Sequence, residues 1–513
     1  MSNTIVAVIA DDGEPSSCGY CKSEKPSSHS DGMWMYHVSA GTYQRLIDRG
    51  WRRSGQYAYK PQMGVTCCPA YTIRLDAHAF APSHGNKKAV KKLRKLVHGS
   101  LPGDSLGVVD DPMSVMNDSS ESIEASAGNA FVKPRVEFAV QDFASLQSHH
   151  QPSTPSSTRC NISEGQESKT SKKGKQPWVK QPKQPKNAPS DIVDIILESE
   201  KEALSLKKWR VELVPAVFER ETFTLYVKYQ TLIHKDKQEN LEESCFQRFL
   251  VDSPITFVHP NEIPNEKRCY NIPKAQAIIQ DFPGFGTFHQ KYYLHDQLIA
   301  VSVLDILPHS VSAVYFIYDP SIPVVCSMSM GVYSALRECA MTKQFAQMIK
   351  GLQYYYMGYY IHSCSKMRYK AQFRPSELLC PKMYTWHPVE ACSQLLDIHK
   401  VARLSYLYQA PNESTIPPLS DDTVYGARAI LTKFSFDKQS LGGLKVFQEG
   451  KVTLLKLLPK GISVTVLKQL VSFVELVGMD IAEEIIFELG LLPPETQPPP
   501  VLQQPQAPFS WTV

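Results

Sequence analysis

Four cysteines near the start of the chain are arranged in two close pairs. Cys18 and Cys21 are separated by two residues, and Cys67 and Cys68 are adjacent. Four thiolates suit zinc or an iron–sulfur cluster, and a metal would replace the core that so short a domain lacks. The adjacent pair is unusual for zinc because neighbouring side chains must both turn toward one ion, so a cluster is an equal candidate. The alternative is four buried thiols without a metal.

A second group of side chains is the run Lys366–Arg374, in which cations alternate with aromatic and apolar residues. Alternate residues of a β-strand share one face, so Lys366, Arg368 and Lys370 would point the same way. The run therefore predicts a strand with a cationic face. That face is either a binding surface or a charged surface in solvent.

The region from Asp281 to Arg374 must supply the elements that position these side chains. Its β-branched runs and its stretch of helical spacing predict three strands, a helix and a fourth strand: Thr287–Leu294, Gln297–Leu307, Val311–Tyr318, Val332–Lys350 and Tyr354–Ile361. Short turns make the first three an antiparallel meander. This order is that of N-acetyltransferases. The predicted fold class is therefore α+β or α/β, with an N-acetyltransferase-like (GNAT-like) catalytic domain and an amino-terminal Cys-rich metal or cluster domain.

The turn before the predicted helix, Ser327 to Gly331, holds a single glycine. N-acetyltransferases place a glycine-rich turn there, so that backbone N–H groups and the helix dipole hold the pyrophosphate of coenzyme A. The sequence therefore predicts no coenzyme A and favours an activated acyl donor of another kind.

Several of these motifs together resemble eukaryotic arginyl-tRNA–protein transferase. The similarity is carried by six stretches: Cys18–Cys21, Cys67–Pro69, Tyr315–Pro320, Ser329–Arg337, Tyr356–Ile361 and Lys366–Lys370. Because they lie in both the amino-terminal unit and the later catalytic region, a chance match to one motif does not explain them. Family members are described with zinc or an iron–sulfur cluster, so the implied metal ligands are Cys18, Cys21, Cys67 and Cys68.

The resemblance implies a reaction. Arginine would move from the ester of Arg-tRNA to the amino-terminal α-amine of a protein that begins with Asp, Glu or oxidised Cys. This arginylation marks the protein for ubiquitin-dependent degradation in the N-degron pathway. The ester is already activated and an α-amine titrates near neutrality, so orientation and charge stabilisation should matter more than a strong base.

Each requirement of that reaction is then matched to residue types. Arginine suits a bidentate grip on a carboxylate, so the acidic first residue of the substrate would be held by the cationic run: Lys366, Arg368, Tyr369, Lys370 and Arg374. The donor's arginyl group needs a carboxylate, and the region offers four: Asp296, Asp305, Asp319 and Glu338. The predicted catalytic residues are Asp305, Asp319 and Tyr318. Either aspartate would bind the arginyl group or relay a proton. Asp319 precedes Pro320, so the alternative for this residue is that it only forms a turn.

The end of the tRNA needs a stacking platform and donors for its phosphates. The predicted tRNA-binding residues are Tyr315, Ser327, Ser329, Tyr333 and Arg337. For the tyrosines, the alternative is a place in the core.

Composition limits the remaining possibilities. A chain of 513 residues with 42% hydrophobic and 21% charged residues is typical of a soluble globular protein of two to four domains. No apolar run approaches the roughly 18 residues of a membrane helix, and Met1–Ala10 lacks the basic region of a secretory signal. Twelve cysteines without export indicate reduced thiols in cytoplasm, nucleus or both.

Composition also sets the predicted domain boundaries. They are a Cys-rich domain at 1–98, a disordered linker at 99–190, the transferase region at 191–492 and a disordered Pro/Gln-rich tail at 493–513. The basic run Lys87–Lys95 would bind tRNA phosphates, act as a nuclear import signal or form a solvated helix face. A homo-oligomer is a further possibility. The competing functions are a coenzyme A-dependent N-acetyltransferase and a non-catalytic adaptor that binds RNA and metal.

Overall fold

The computed structural model describes residues 4–8, 15–97, 191–205, 209–269, 278, 281–408, 441–448, 451–457, 464–488 and 511–512. They form two β-sheets with helices packed on them, so the fold is mixed α/β. The predicted linker at 99–190 lies outside the described residues, and so does the predicted tail except for residues 511–512. None of the helices that the structure describes is both long enough and apolar enough to cross a membrane.

The strands in these ranges are, in chain order, β1 Thr4–Val8, β2 Ser30–Met35, β3 Arg52–Ser54, β4 Tyr57–Pro61, β5 Tyr71–Asp76, β6 Trp209–Pro215, β7 Gly286–Leu294, β8 Gln297–Ile306, β9 Ser310–Tyr318, β10 Tyr354–Tyr360, β11 Ser376–Leu379, β12 Trp386–Pro388, β13 Lys445–Gln448, β14 Lys451–Leu454, β15 Ile485–Glu488 and β16 Trp511–Thr512. The α-helices are α1 Ala40–Ile47, α2 His84–Val97, α3 Ile192–Ser205, α4 Arg220–Tyr229, α5 Glu243–Phe246, α6 Pro323–Met328, α7 Met330–Met348, α8 Ser365–Arg368, α9 Val389–Ile398, α10 Val464–Val477 and α11 Met479–Ala482.

The centre of the larger sheet is the meander of β7, β8 and β9, which are antiparallel as predicted. All nine residues of β7 are buried, so this strand lies in the core. His295 and Asp296 join β7 to β8 with positive φ angles of 50° and 63°, as a tight two-residue hairpin turn requires. The local pattern of apolar runs and turns therefore determines this part of the fold.

The helix and the fourth strand are also found where the sequence predicts them. Helix α7 follows the meander, and β10 then pairs parallel to β9. The pairing joins Tyr354–Tyr356 only to Ser310–Ser312. Beyond these residues the two strands are not paired, and a space opens between them.

The predicted boundary at residue 98 does not separate the two sheets. The larger sheet has the order β12-β11-β5-β10-β9-β8-β7-β6-β16, so β5 from the amino-terminal region lies between β10 and β11. The smaller sheet has the order β14-β13-β15-β1-β2-β4-β3 and pairs β1 with the much later strand β15. Tyr71, Ile73 and Leu75 of β5 are buried in the main core, which explains why this strand belongs to the larger sheet.

The strand predicted for Lys366–Arg374 is wrong. Helix α8 ends at Arg368 and continues as a 3₁₀ turn over Tyr369–Gln372. Met367 and Phe373 are the residues of this segment that enter the core. Because a helical turn repeats every three to four residues, the three cations cannot share the face that a strand would give them.

Candidate active site

A cavity of about 180 Å³ opens where β9 and β10 separate. Its wall is built by the facing strands, the start of α7, the turn after α8 and part of the amino-terminal region. The residues that matter for its chemistry are Arg52, Tyr315, Ser329, Glu338, Tyr359 and Lys370. The cavity therefore brings together side chains that are far apart in the sequence.

Glu338 is the buried carboxyl of this cavity. It projects from α7 and accepts hydrogen bonds from the Ser334 hydroxyl and from the Tyr355 hydroxyl, the latter at 2.6 Å. Burial raises the pKa of Glu338, and the hydroxyl groups around it offset part of that rise. A carboxyl so oriented by hydroxyl donors can accept a cationic ligand.

Lys370 lies in the 3₁₀ turn after α8, where the buried side chains of Met367 and Phe373 fix the backbone. Its Nζ donates a hydrogen bond to the Tyr359 carbonyl at 2.6 Å. Burial, together with the nearby charge of Arg52, lowers the pKa of Lys370 to about 7. We therefore expect the charge of this lysine to change near neutral pH.

The other predicted substrate-binding residues divide between the cavity and the surface. Tyr369 lines the cavity beside Lys370. Arg368 contacts Asp397 at 3.4 Å, and Arg374 contacts Glu390 at 3.0 Å, each through exposed side chains. Lys366 is exposed on α8. Of the four predicted cations, Lys370 is the one in the cavity wall.

The two predicted catalytic aspartates do not line the cavity. Asp305 is fully buried; its two oxygens accept hydrogen bonds from Arg53 at 2.6 and 2.8 Å, and Oδ1 also accepts one from Thr287 at 2.7 Å. Asp319 follows β9 and accepts from the backbone and hydroxyl of Ser321, as a turn residue does, and pairs with Lys228 at 3.2 Å. Tyr318, the third predicted catalytic residue, does line the cavity.

The predicted tRNA-binding residues also divide. Tyr315 lines the cavity, and the Phe249 ring lies edge-on at 4.8 Å from its own. Ser329 adopts a left-handed φ of 60° between α6 and α7, and Lys92 of α2 donates to its hydroxyl at 3.3 Å. Its position at the start of a long helix is suited to an anion. Ser327 belongs to α6, but its side chain is outside what the structure describes.

Tyr333 and Arg337 are core residues instead. Both contact Glu200 of α3, Tyr333 through its hydroxyl at 2.8 Å and Arg337 through Nε at 2.7 Å. Both are fully buried and neither lines the cavity. They attach α7 to α3, so the prediction that they touch tRNA is wrong for this arrangement.

The four predicted metal ligands are brought together. The sulfur atoms of Cys18, Cys21, Cys67 and Cys68 lie within 4.8 Å of one another. Burial tends to raise the pKa of Cys21, but hydrogen bonds, foremost those of Ser23, outweigh it and lower the pKa to about 6. Four clustered thiols fit zinc or an iron–sulfur cluster, and a metal can bind there.

The cysteine cluster packs on the wall of the cavity. Cys18 and Cys68 share a small core with Tyr59, Tyr359 and Met367. These last three residues also line the cavity. The amino-terminal cluster and the cavity are therefore opposite sides of one packed layer.

Sequence reasoning missed the arginines of β3. Arg52 and Arg53 both line the cavity, although they belong to the region that was predicted to be a separate domain. No local signal marks them, because they follow Trp51 in a mixed stretch that also holds Asp48, Arg49 and Lys60. Their burial becomes visible only in the folded chain.

Comparisons with known proteins identify the family of this chain. Residues 16–88 match the family model described as Arginine-tRNA-protein transferase, N terminus, and residues 221–380 match the model for its C terminus. The chain is 33% identical over 504 residues to arginyl-tRNA–protein transferase 2 of Arabidopsis thaliana, covering 81% of this chain and 80% of that protein. The chain belongs to the arginyl-tRNA–protein transferase family. This transferase is therefore an enzyme, and neither a non-catalytic adaptor nor an N-acetyltransferase is favoured.

Two further relatives show how the similarity is distributed. Arginyl-tRNA–protein transferase 1 of Drosophila melanogaster is 34% identical over 450 residues, which cover 79% of this chain and 86% of the relative. An aspartate/glutamate leucyltransferase of Pseudomonas aeruginosa is 41% identical over 104 residues, which cover 20% of this chain and 40% of the relative. The bacterial enzyme thus shares a short segment with this transferase.

Proposed function

We propose that this enzyme transfers arginine from Arg-tRNA to the amino-terminal α-amine of proteins that begin with Asp, Glu or oxidised Cys, and so marks them for ubiquitin-dependent degradation. The observation that carries the proposal is the cavity, which joins the buried carboxyl of Glu338 to Arg52 and Lys370 in a member of this family. The name of the bacterial relative, an aspartate/glutamate leucyltransferase, supports an acidic acceptor.

Glu338 is the group that would bind the arginyl side chain of the donor. A guanidinium and a carboxylate form paired hydrogen bonds, and the low dielectric of a cavity strengthens them. Asp305 and Asp319 are already held by Arg53 and Lys228, and Asp296 is 90% exposed in a hairpin turn. Of the four carboxylates considered from the sequence, Glu338 is thus the one that is buried and lines the cavity.

The end of the tRNA would enter beside the start of α7. Tyr315 offers an aromatic ring for the terminal adenosine, and Ser329 with the first backbone N–H groups of α7 offers donors for a phosphate. Lys92 of the basic helix α2 reaches Ser329, which links the cavity to a cationic surface. This position supports a path for a nucleic acid from α2 into the cavity.

In the reaction, the α-amine attacks the arginyl carbonyl carbon. A new amide bond forms, the bond between that carbon and the ribose oxygen breaks, and the proton lost by the amine ends on the ribose hydroxyl. The chain's own contribution is to hold both substrates in one orientation and to exclude water from the closed part of the cavity. Coenzyme A has no place in this scheme.

The cysteine cluster would hold a zinc ion or an iron–sulfur cluster through Cys18, Cys21, Cys67 and Cys68. When bound, the metal would connect two loops that pack on the cavity wall and so stabilise Tyr59 and Tyr359. Cytoplasm and nucleus are the compartments we propose, since the thiols require reducing conditions.

The test is transfer of labelled arginine from Arg-tRNA to three peptides that begin with Asp, with acetylated Asp or with Ala. We expect labelling of the Asp peptide alone, because acetylation removes the nucleophile and Ala lacks the acidic side chain. Labelling of the acetylated peptide would contradict attack by the α-amine. No labelling of any peptide, with tRNA binding intact, would contradict the proposed reaction.

A further inference from the structure

Two neighbouring arginines of β3 have very different partners. Arg53 is satisfied on every nitrogen: it contacts Asp305 through Nε and Nη2 and the Gly55 carbonyl through Nη1. Arg52 uses only Nη1, which donates to the carbonyls of Trp51 at 2.7 Å and Ile47 at 3.4 Å. Its Nε and Nη2 are buried and meet no acceptor in the part of the chain that the structure describes.

An unpaired guanidinium is costly in this position. Arg52 is only 5% exposed, so water cannot solvate most of its charge. The rings of Tyr356 and Tyr359 lie 5.5 and 5.4 Å from its Cζ and offset part of the cost. No carboxylate among the described residues lies within ion-pair distance of Arg52. Arg52 lines the cavity, so a ligand there could supply the missing anion once the side chain turns its buried Nε and Nη2 edge toward it.

Lys370 is a second cation against the same tyrosine. Its Nζ is bonded to the Tyr359 carbonyl at 2.6 Å, whereas the Arg52 guanidinium lies over the Tyr359 ring. Both side chains line the cavity, and the charge of Arg52 is close enough to lower the pKa of Lys370. The two cations therefore repel each other, and an anion between them would relieve that repulsion.

We propose that Arg52 and Lys370 form the subsite that binds the side-chain carboxylate of the acceptor's first residue, and that Arg52 sets the preference for acidic amino termini. This inference rests on the proposed arginyl transfer and adds the residues that select the acceptor. Nε and Nη2 form one edge of the guanidinium, and that edge matches the two oxygens of a carboxylate. The oxidised sulfur group of a modified cysteine presents oxygens in a similar way.

The first experiment measures binding of fluorescent peptides beginning with Asp or Asn to the full chain, together with kcat/KM for arginyl transfer. In Arg52→Gln we expect affinity for the Asp peptide to fall roughly 100-fold, because one partner of a buried charge pair is lost. Affinity for the Asn peptide should barely change, so the ratio between the two peptides approaches one. Lys370→Met should reduce the same ratio, by about tenfold.

Arg74→Gln is the matched control. Arg74 is also a shielded arginine, placed 3.7 Å from the Tyr354 ring and 3.9 Å from the Trp386 ring and paired with Glu377 at 2.8 Å, but it is outside the cavity wall. Its replacement should leave the ratio of Asp to Asn affinity at the wild-type value. A lower ratio in this control would show that loss of any packed arginine has the same effect, which overturns the assignment.

A second measurement uses the unaltered chain, so it stands even if Arg52→Gln does not fold. A carboxylate beside Lys370 should restore the lysine's ordinary high pKa, so binding of the Asp peptide at pH 8 should take up protons and binding of the Asn peptide should not. Calorimetry in two buffers of different ionisation enthalpy measures this uptake. Equal uptake for both peptides overturns the inference.

Failure of the inference differs from failure of the proposed function. If the wild-type chain labels no peptide, the proposed reaction is wrong. If the wild-type chain labels the Asp peptide, but Arg52→Gln reduces the affinities for the Asp and Asn peptides equally, the reaction is right and the subsite is wrong. If Arg52→Gln weakens Arg-tRNA binding and keeps the acidic preference, the guanidinium contacts a phosphate of the RNA instead.

Discussion

The two adjacent arginines of β3 differ in whether their charge has a partner. Around Arg53, each charge has a partner, and the pair with Asp305 joins the amino-terminal region to the central meander. Around Arg52, Nε and Nη2 of a buried guanidinium meet no acceptor among the described residues, and the half-buried Lys370 donates to a backbone carbonyl. The paired charges around Arg53 join two parts of the fold, and we propose that the unpaired guanidinium edge of Arg52 binds a ligand. Substitutions in the two parts should therefore fail in different ways.

The largest effect is expected for Asp305→Ala. It leaves the guanidinium of Arg53 buried without a carboxylate, which should lower the free energy of unfolding by about 3–5 kcal/mol. Urea denaturation followed by circular dichroism measures this loss. The double variant Arg53→Met, Asp305→Leu should recover most of it, because no charge stays buried. An Asp305→Ala chain that is fully stable but inactive would instead favour the catalytic role predicted from sequence.

Glu338→Gln should affect the reaction more than the fold. We expect kcat/KM for arginyl transfer to fall about 100-fold, since a charged hydrogen-bond partner of the donor is lost. Burial raises the pKa of Glu338, so ionising it should cost stability as pH rises above the ordinary value for glutamate. The variant should therefore lose less stability than wild type between mildly acidic and neutral pH, as thermal melts would show. A loss of stability that matches the loss of activity would contradict this assignment.

Lys370→Arg tests the pH dependence of the cavity. The pKa of Lys370 is lowered to about 7, so its protonated fraction, and with it the affinity for an acidic peptide, should fall as pH rises above 7. Arginine stays charged throughout this range. The variant should therefore keep its preference for Asp over Asn up to pH 9, as peptide binding at several pH values would measure. Parallel profiles for both chains would assign the titration to another group.

The smallest effect is expected for Arg374→Ala. Arg374 is 69% exposed and pairs with an exposed Glu390, and such pairs contribute about 0–1 kcal/mol. The free energy of unfolding should change by less than about 1 kcal/mol. The kcat/KM for the Asp peptide should change by less than about fivefold. A selective loss of activity with Asp peptides would return Arg374 to the substrate site.

The parts of the fold that the sequence predicts are those that local pattern controls. The meander, α7 and β10 follow from apolar runs, turns and helical spacing within one region. The run Lys366–Arg374 fails because alternation over so few residues does not distinguish a strand from a helical turn. What decides the conformation is that Met367 and Phe373 insert into the core, and this depends on neighbours that the local pattern does not contain.

The sequence likewise predicted those parts of the site that residue type and local motif indicate. The four cysteines lie together as their two motifs suggested, and Lys370 and Tyr315 both line the cavity, although their roles stay predictions. Arg52 was missed because it comes close to Lys370 only in the folded chain, where strands from two regions join shared sheets. The spacing of residues in the sequence does not reveal this. Asp305 was chosen for its place near a strand end, but its partner Arg53 comes from the other region of the chain.

The place of β5 between β10 and β11 also affects how the chain can be made. Asp76 and Gln353, which are hydrogen-bonded in the folded protein, are 277 residues apart in sequence. During synthesis, β5 leaves the ribosome long before either neighbouring strand exists, so its edges have no partner for most of translation. The larger sheet can close only after β11 has emerged. Nascent chains of this transferase should therefore depend on chaperones until that point, and fragments that end before β11 should aggregate.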